Sequence, residues 1–145
     1  VSQELERLPA NPTPSQIHAL AAELRKHPQI EAPITHHFAD GIYGREMLLP
    51  AGATIVGKKH RFATLNILAQ GEISVTNADG AVRVLKAPAV FVSPPMSQKV
   101  GHAITDVVWI NVHPTRLQDV ASIEAKFIVP ETAAIASEPA KRIES

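Results

Sequence analysis

From Ile34 to His113 the chain is a succession of short β-rich runs: ITHHF, YGREMLL, ATIVGK, TLNILA, EISVT, AVRVL, AVFVS and DVVWINVH. Turn-formers separate many of them, at Asp40-Gly41, Pro50-Ala51-Gly52, Gln70-Gly71, Asn77-Ala78-Asp79-Gly80 and Ser93-Pro94-Pro95. Gly, Asn and Asp accept the backbone angles of tight turns, and Pro cannot donate to a ladder. Many short strands with a turn every roughly 8–12 residues predict a sandwich or barrel. The alternation is clearest at Asp79-Gly80, with Ile73 and Val75 before the turn and Val82 and Val84 after it. An antiparallel hairpin is expected there.

The period changes on either side of this block. Thr13 suits an N-cap, Pro14 the first helical position, and Gln16 completes a capping box. Ile17, Leu20, Ala21 and Leu24 follow on one stripe and Pro28 ends it, so the spacing predicts a helix over 14–26. After His113-Pro114, Thr115 and Gln118 offer a second capping box. With Leu117, Val120, Ala121, Ile123 and Phe127 as its stripe, a helix over 116–126 is predicted. The organisation reads as a polar arm (1–12), helix and linker (13–33), β-domain (34–114), C-terminal helix segment (115–129) and tail (130–145). Arm and tail have too few large apolar groups to order themselves, so each is expected to hold to another subunit.

Composition removes several function classes. Fourteen basic and fourteen acidic residues cancel, which leaves no strong field for nucleic acid or membranes. Aromatics make up 4%, too few for a base-stacking platform. There is no cysteine, hence no disulfide, thiolate nucleophile, CxxC zinc site or Fe–S cluster. No apolar run approaches ~18 residues, and the opening VSQELERLPANP has no apolar stretch of the secretory kind. A cytoplasmic protein is expected.

The segment from Gly52 to Gly71 carries a resemblance. Its Pro50-Ala51-Gly52 entry and Gln70-Gly71-Glu72 exit are similar to the first motif of the cupin superfamily. Ala87–Pro95 is similar to the lead into the second motif. The blocks GIYGREMLLPAG, LNIL, KAPAVFVSPP and DVVWINVHPT resemble small cupin-like proteins encoded by bacteriophages and prophages. The likeness runs from about Ile34 to Pro114. It implies an all-β fold, a cupin-type jelly roll or double-stranded β-helix, with short flanking helices.

The resemblance also implies a metal site of His, His, Glu and a later His. Here Lys58, His60, Thr64 and Lys99 stand at those positions. The phage-type variant, with Glu and His shortly after the position of His60, is absent too, since Ala63 and Thr64 stand there. One imidazole cannot hold a transition metal tightly, so no tightly bound metal is expected. Lys58, His60, Phe62, Thr64 and Lys99 become the pocket candidates. If they point inward, Lys58 and Lys99 repel a cation and suit an anion or carboxylate.

The remaining polar residues say less. His60 reads as a lone ligand or base, or as a structural histidine at a barrel mouth. His36 and His37 are adjacent and face opposite sides of a strand. His102 falls three residues after Lys99, on the opposite face by alternation. His113 shares a face with Trp109 and Asn111, which line either a pocket or an outer face. A metal site rebuilt from His60 with His102 or His113 is the alternative. His18 and His27 look like surface residues, and Lys58-Lys59-His60-Arg61 like a solvated strand end. Glu46, Glu72, Asp79 and Asp106 show no spacing that specifies acid–base work. Ser74, Ser93 and Ser97 lack a nucleophile elbow. The expected function is noncatalytic binding or assembly, as a phage-related structural component. Expected partners are further copies of the chain, a homodimer or larger, and other phage structural proteins in the particle. The alternative is a metal-dependent or small-ligand-binding cupin enzyme with a degenerate site around His60.

Overall fold

The computed structural model describes residues 14–76, 82–130 and 134–136, the last three by their backbone. In chain order α1 (Pro14–Leu24) precedes β1 (Ile34–Ala39), β2 (Ile42–Leu49), β3 (Thr54–Val56), β4 (Lys59–His60), β5 (Thr64–Gln70) and β6 (Glu72–Thr76). Then come β7 (Val82–Lys86), β8 (Ala89–Ser93), β9 (Val100–Ala103), β10 (Val107–Pro114), α2 (Val120–Phe127), β11 (Ile128–Val129) and β12 (Ala134–Ala136). One five-stranded sheet has the order β1-β2-β10-β5-β8 and the other β12-β3-β9-β6-β7, while β11 and β4 form a two-stranded ribbon. Every pairing is antiparallel. The chain passes from one sheet to the other at Gly71, between β5 and β6. These are the two sheets of a jelly roll.

Alternation decides what meets between the sheets. Register then lines the inward side chains of the first sheet into rungs. Ile34, Met47, Trp109, Leu68 and Ala89 form one rung, and His36, Arg45, Asn111, Asn66 and Phe91 the next. The first rung is apolar and joins Leu49, Ala53, Ile73, Val75, Ala103 and Val107 in the main core. The second is polar in four of its five positions. One end of the barrel is therefore packed core, and the other end carries the chemistry.

The first helix forms as its stripe predicts. Ile17, Leu20, Ala21 and Leu24 pack on Val56 and Val100, covering the outer side of β3 and β9. The capping role expected of Thr13 falls outside the described residues. The β6–β7 hairpin also forms, although its Asn77–Gly80 turn lies outside the described residues. Its register sets Val82 and Val84 opposite Thr76 and Ser74, so both valines face outward instead of joining Ile73 and Val75.

The C-terminal segment needs correction. The helix occupies Val120–Phe127, not 116–126 or all of 115–129, because Asp119 is its N-cap and accepts from the Ser122 N–H at 3.0 Å. The Thr115 hydroxyl instead accepts from the Leu117 N–H two residues on, at 3.1 Å, which holds a turn. Residues 128–129 pair with β4, and 134–136 pair with β3 of the same chain. The sheets thus extend past Pro114 and use part of the tail.

Candidate functional site

The polar end of the barrel encloses a cavity of about 140 Å³. Its walls are largely apolar: Met47 and Trp109 from one sheet, Ile55, Ile73 and Val75 from the other. Helix α2 brings Ile123 and Phe127 over the mouth. That helix is tied down at several points. The Lys58 ammonium pairs with Glu124 at 2.9 Å, the Arg61 N–H donates to the Phe127 carbonyl at 2.7 Å, and the Phe127 ring stacks on His113 at 4.5 Å.

A chain of amides and hydroxyls runs along one wall. Asn111 donates to Asn66 at 2.6 Å, Asn66 donates to Ser93 at 2.9 Å, and the Lys99 ammonium donates to the same Ser93 hydroxyl at 3.0 Å. These bonds set the orientation of both buried amides. Arg45, Lys58, His60, Lys99 and His113 then project from five different positions into one space. Among the described residues only Lys58 of the three cations has a carboxylate within ion-pair reach. Arg45 and Lys99 are cations of a largely apolar cavity with no carboxylate in ion-pair contact among the described residues, the nearest negative charge on its lining being Glu124, held by Lys58.

The histidines adjust to that excess. Burial, then the positive charge of Lys99, the His113 ring, Arg45 and Lys58, push His60 down to about 3. Burial and Arg45 push His113 down to about 4. Burial alone brings Lys99 down to about 8. Arg45 is lowered by burial, partly offset by Tyr43 and Glu124. At neutral pH both imidazoles are uncharged, and their rings stack 5.5 Å apart. The Nδ1 of His60 is buried with no hydrogen-bond partner among the described residues. A polar atom left in that state costs roughly 1–3 kcal/mol unless something else satisfies it.

Of the pocket candidates, Lys58, His60 and Lys99 line the cavity. Phe62 and Thr64 do not. A bend at 61–63 restarts the alternation, leaving Phe62 47% exposed and edge-on to Phe127 at 5.9 Å. The Thr64 hydroxyl is spent on the Phe62 carbonyl at 3.0 Å. His113 lines the cavity together with Trp109 and Asn111. His102 does not, because it bonds Thr54 at 2.8 Å on the other face of β9. His36 and His37 diverge, one to the Tyr43 hydroxyl at 2.6 Å, the other to Glu46 at 2.8 Å. Sequence reasoning passed over Arg45. The signal was available in Tyr43-x-Arg45-x-Met47-x-Leu49, where strict alternation puts a lone cation among inward apolar residues.

The metal set implied by the cupin likeness does not fit here. Among the described residues no group of three His, Asp or Glu side chains is placed to hold one ion. The two imidazoles that reach the cavity sit beside Lys99 and Arg45, whose charge opposes a cation.

No protein-family model matches the chain, and no curated protein matches it by sequence. Solved structures do match. Ectoine synthase from P. lautus is 12% identical with a TM-score of 0.54, covering 72% of this chain and 81% of its own. A cupin superfamily protein from Desulfitobacterium hafniense is 16% identical at a TM-score of 0.50, covering 74% and 97%. Salicylate 1,2-dioxygenase from Pseudoaminobacter salicylatoxidans is 13% identical at 0.53, with 81% of this chain on 38% of that one. At these identities the likeness is one of fold. The fold is the cupin jelly roll, and none of the three bears on a phage origin.

Proposed function

We propose that this cupin-fold chain is a binding domain that takes a small organic anion directly onto its own side chains. The observation that carries the reading is the pair of cations, Arg45 and Lys99, that line a largely apolar cavity with no ion-pair partner among the described residues. A carboxylate would satisfy both, and the apolar walls would take a hydrocarbon body. The volume is close to the roughly 150 Å³ that accommodates benzene in an engineered cavity, so the anion is small. The planar fork of Arg45 suits a carboxylate in bidentate form.

Calorimetry with benzoate and isobutyrate tests this reading. Binding of at least one is expected, and Arg45→Met should weaken it about 100-fold, the loss of two charge-assisted hydrogen bonds. The same variant should melt no lower than the parent, since it removes a half-buried cation that has no ion-pair contact among the described residues. Unchanged affinity in Arg45→Met would overturn the reading.

A second observation supports assembly. The outer face of the first sheet carries Ile110, Ile67 and Val90 in one row and Val112, Leu65 and Val92 in the next. Val90 and Val92 are 63% and 65% exposed. The His37–Glu46 pair marks the far edge of this patch. An uncharged face of this kind fits a second copy of itself. Sedimentation is expected to show a dimer that Ile67→Lys converts to monomer. A monomeric parent would end this part of the proposal.

A further inference from the structure

We propose that Lys99 is a carbonyl-capturing amine, and that the anion bound here is a small oxo acid whose carboxylate sits on Arg45 while its carbonyl condenses with Lys99 Nζ. The inference rests on the anion-binding reading and names the ligand class within it. Three features on the cavity wall carry it.

First, Lys99 lines the cavity and has no carboxylate within ion-pair reach among the described residues. Its ammonium is held by one hydroxyl, Ser93, which already accepts from Asn66, and lies over the Phe91 ring at 5.9 Å. A lysine kept for ion pairing would have found an acid. Second, the two cations differ in kind. Arg45 stays charged at any pH of interest, whereas the amine of Lys99 can shed its proton. An oxo acid has one group for each. Third, His60 is a neutral imidazole with a buried, unpartnered Nδ1, and Lys99 and Arg45 both act on its charge. It can accept a hydrogen bond from a hydroxyl that forms on the captured carbonyl.

The step balances without a redox partner. The nitrogen lone pair of the neutral amine adds to the carbonyl carbon, and the C–O π pair moves to oxygen. The proton on nitrogen passes to that oxygen by way of solvent, yielding a neutral carbinolamine whose hydroxyl can donate to the His60 Nδ1. A proton from solvent then converts the hydroxyl into a leaving water, the nitrogen lone pair expels it, and the C=N bond of a protonated imine forms. Burial helps the first event. With Lys99 near 8, about one amine in ten is free at pH 7, against about one in a few thousand for an ordinary lysine. Desolvation of this kind activates Schiff-base lysines generally.

The test uses the full chain with pyruvate and sodium cyanoborohydride at pH 7.5, in a short exposure read by intact mass and peptide mapping. One reduced adduct is expected, on Lys99, forming at least tenfold faster than on any other lysine. Isobutyrate, which has no carbonyl, should slow it by competition. Lys99→Arg should lose the adduct, and Lys86→Arg, an exposed lysine, should keep it. No adduct, or labelling spread evenly over the lysines, would overturn the proposal. If isobutyrate binds by calorimetry and Lys99 stays unlabelled, imine formation fails and the anion-binding reading stands. If Lys99 is labelled and neither isobutyrate nor pyruvate shows saturable binding, the anion-binding reading fails and the amine assignment stands.

Discussion

Acidifying the protein from pH 7 to pH 4 is expected to remove much of its stability. His60 titrates at about 3 and His113 at about 4 in the folded chain, against about 6.5 when unfolded. Below pH 6.5 the unfolded chain therefore binds two protons that the folded chain refuses. Stability is full above the unfolded value and falls as pH drops toward the folded values, by roughly 1.4 kcal/mol per unit for each group. With allowance for the open mouth, the loss by pH 4 is on the order of 3–5 kcal/mol, against a typical total of about 5–15. Lys99 works in the same direction at the other end. Its folded value of about 8 lies below the unfolded one, so stability keeps rising from pH 8 toward about 10.4. Urea midpoints measured from pH 5 to 7 separate this from acid titration of carboxylates, which are still ionised there. His60→Asn with His113→Gln should flatten the slope in that window. A parent midpoint that does not move between pH 7 and 5 would contradict the described electrostatics.

Gly71→Ala is expected to be the most damaging single substitution of a small residue. Gly71 has φ +93°, where an L side chain is strained, and a Cβ there would lie 2.1 Å from the Asp106 carbonyl oxygen. That oxygen belongs to backbone, so relief requires moving the loop between β9 and β10. A loss of about 3 kcal/mol or more is expected, seen as a fall of roughly 10 °C in melting temperature. Gly41→Ala provides the contrast. Its φ is +79°, and its nearest neighbour is the end of the Arg116 side chain at 4.0 Å, so only the backbone term applies. If the two variants melt together, the clash at Asp106 is not the cause.

The long strands were legible because alternation and turn residues act over five residues or more. β4, β11 and β12 were not, since two or three residues carry no period. β9 was hidden for another reason: VGHA has one β-branched residue and a glycine that packs against Ile73 and Ile55. The second helix was started too early because Thr115 and Gln118 mimic a cap, while Asp119 competes for the same role and wins through Ser122. In the site, Lys58, His60 and Lys99 were found by counting from turns. Asn111 was legible by alternation with Trp109 and His113, and Arg45 was open to the same reading, whereas Asn66 needed register because it matters only through its cross-strand neighbours. Phe62 was misplaced because a bend carries no pattern to count along.

The order of strands in the first sheet also governs how this chain can fold. β10 sits at its centre, between β2 and β5, so Leu49 waits for Val107 and Ile42 for Pro114. During synthesis the β1–β2 hairpin can form early, but it has no sheet to join until most of the chain has emerged. Such high contact order makes folding slow, and it leaves the valines of β7 and β8 without their sheets in the meantime. The charge on Arg45, in β2, then has a second consequence. Hydrated while β2 is an open edge, a charge there disfavours pairing of that strand with a neighbouring chain until β10 arrives.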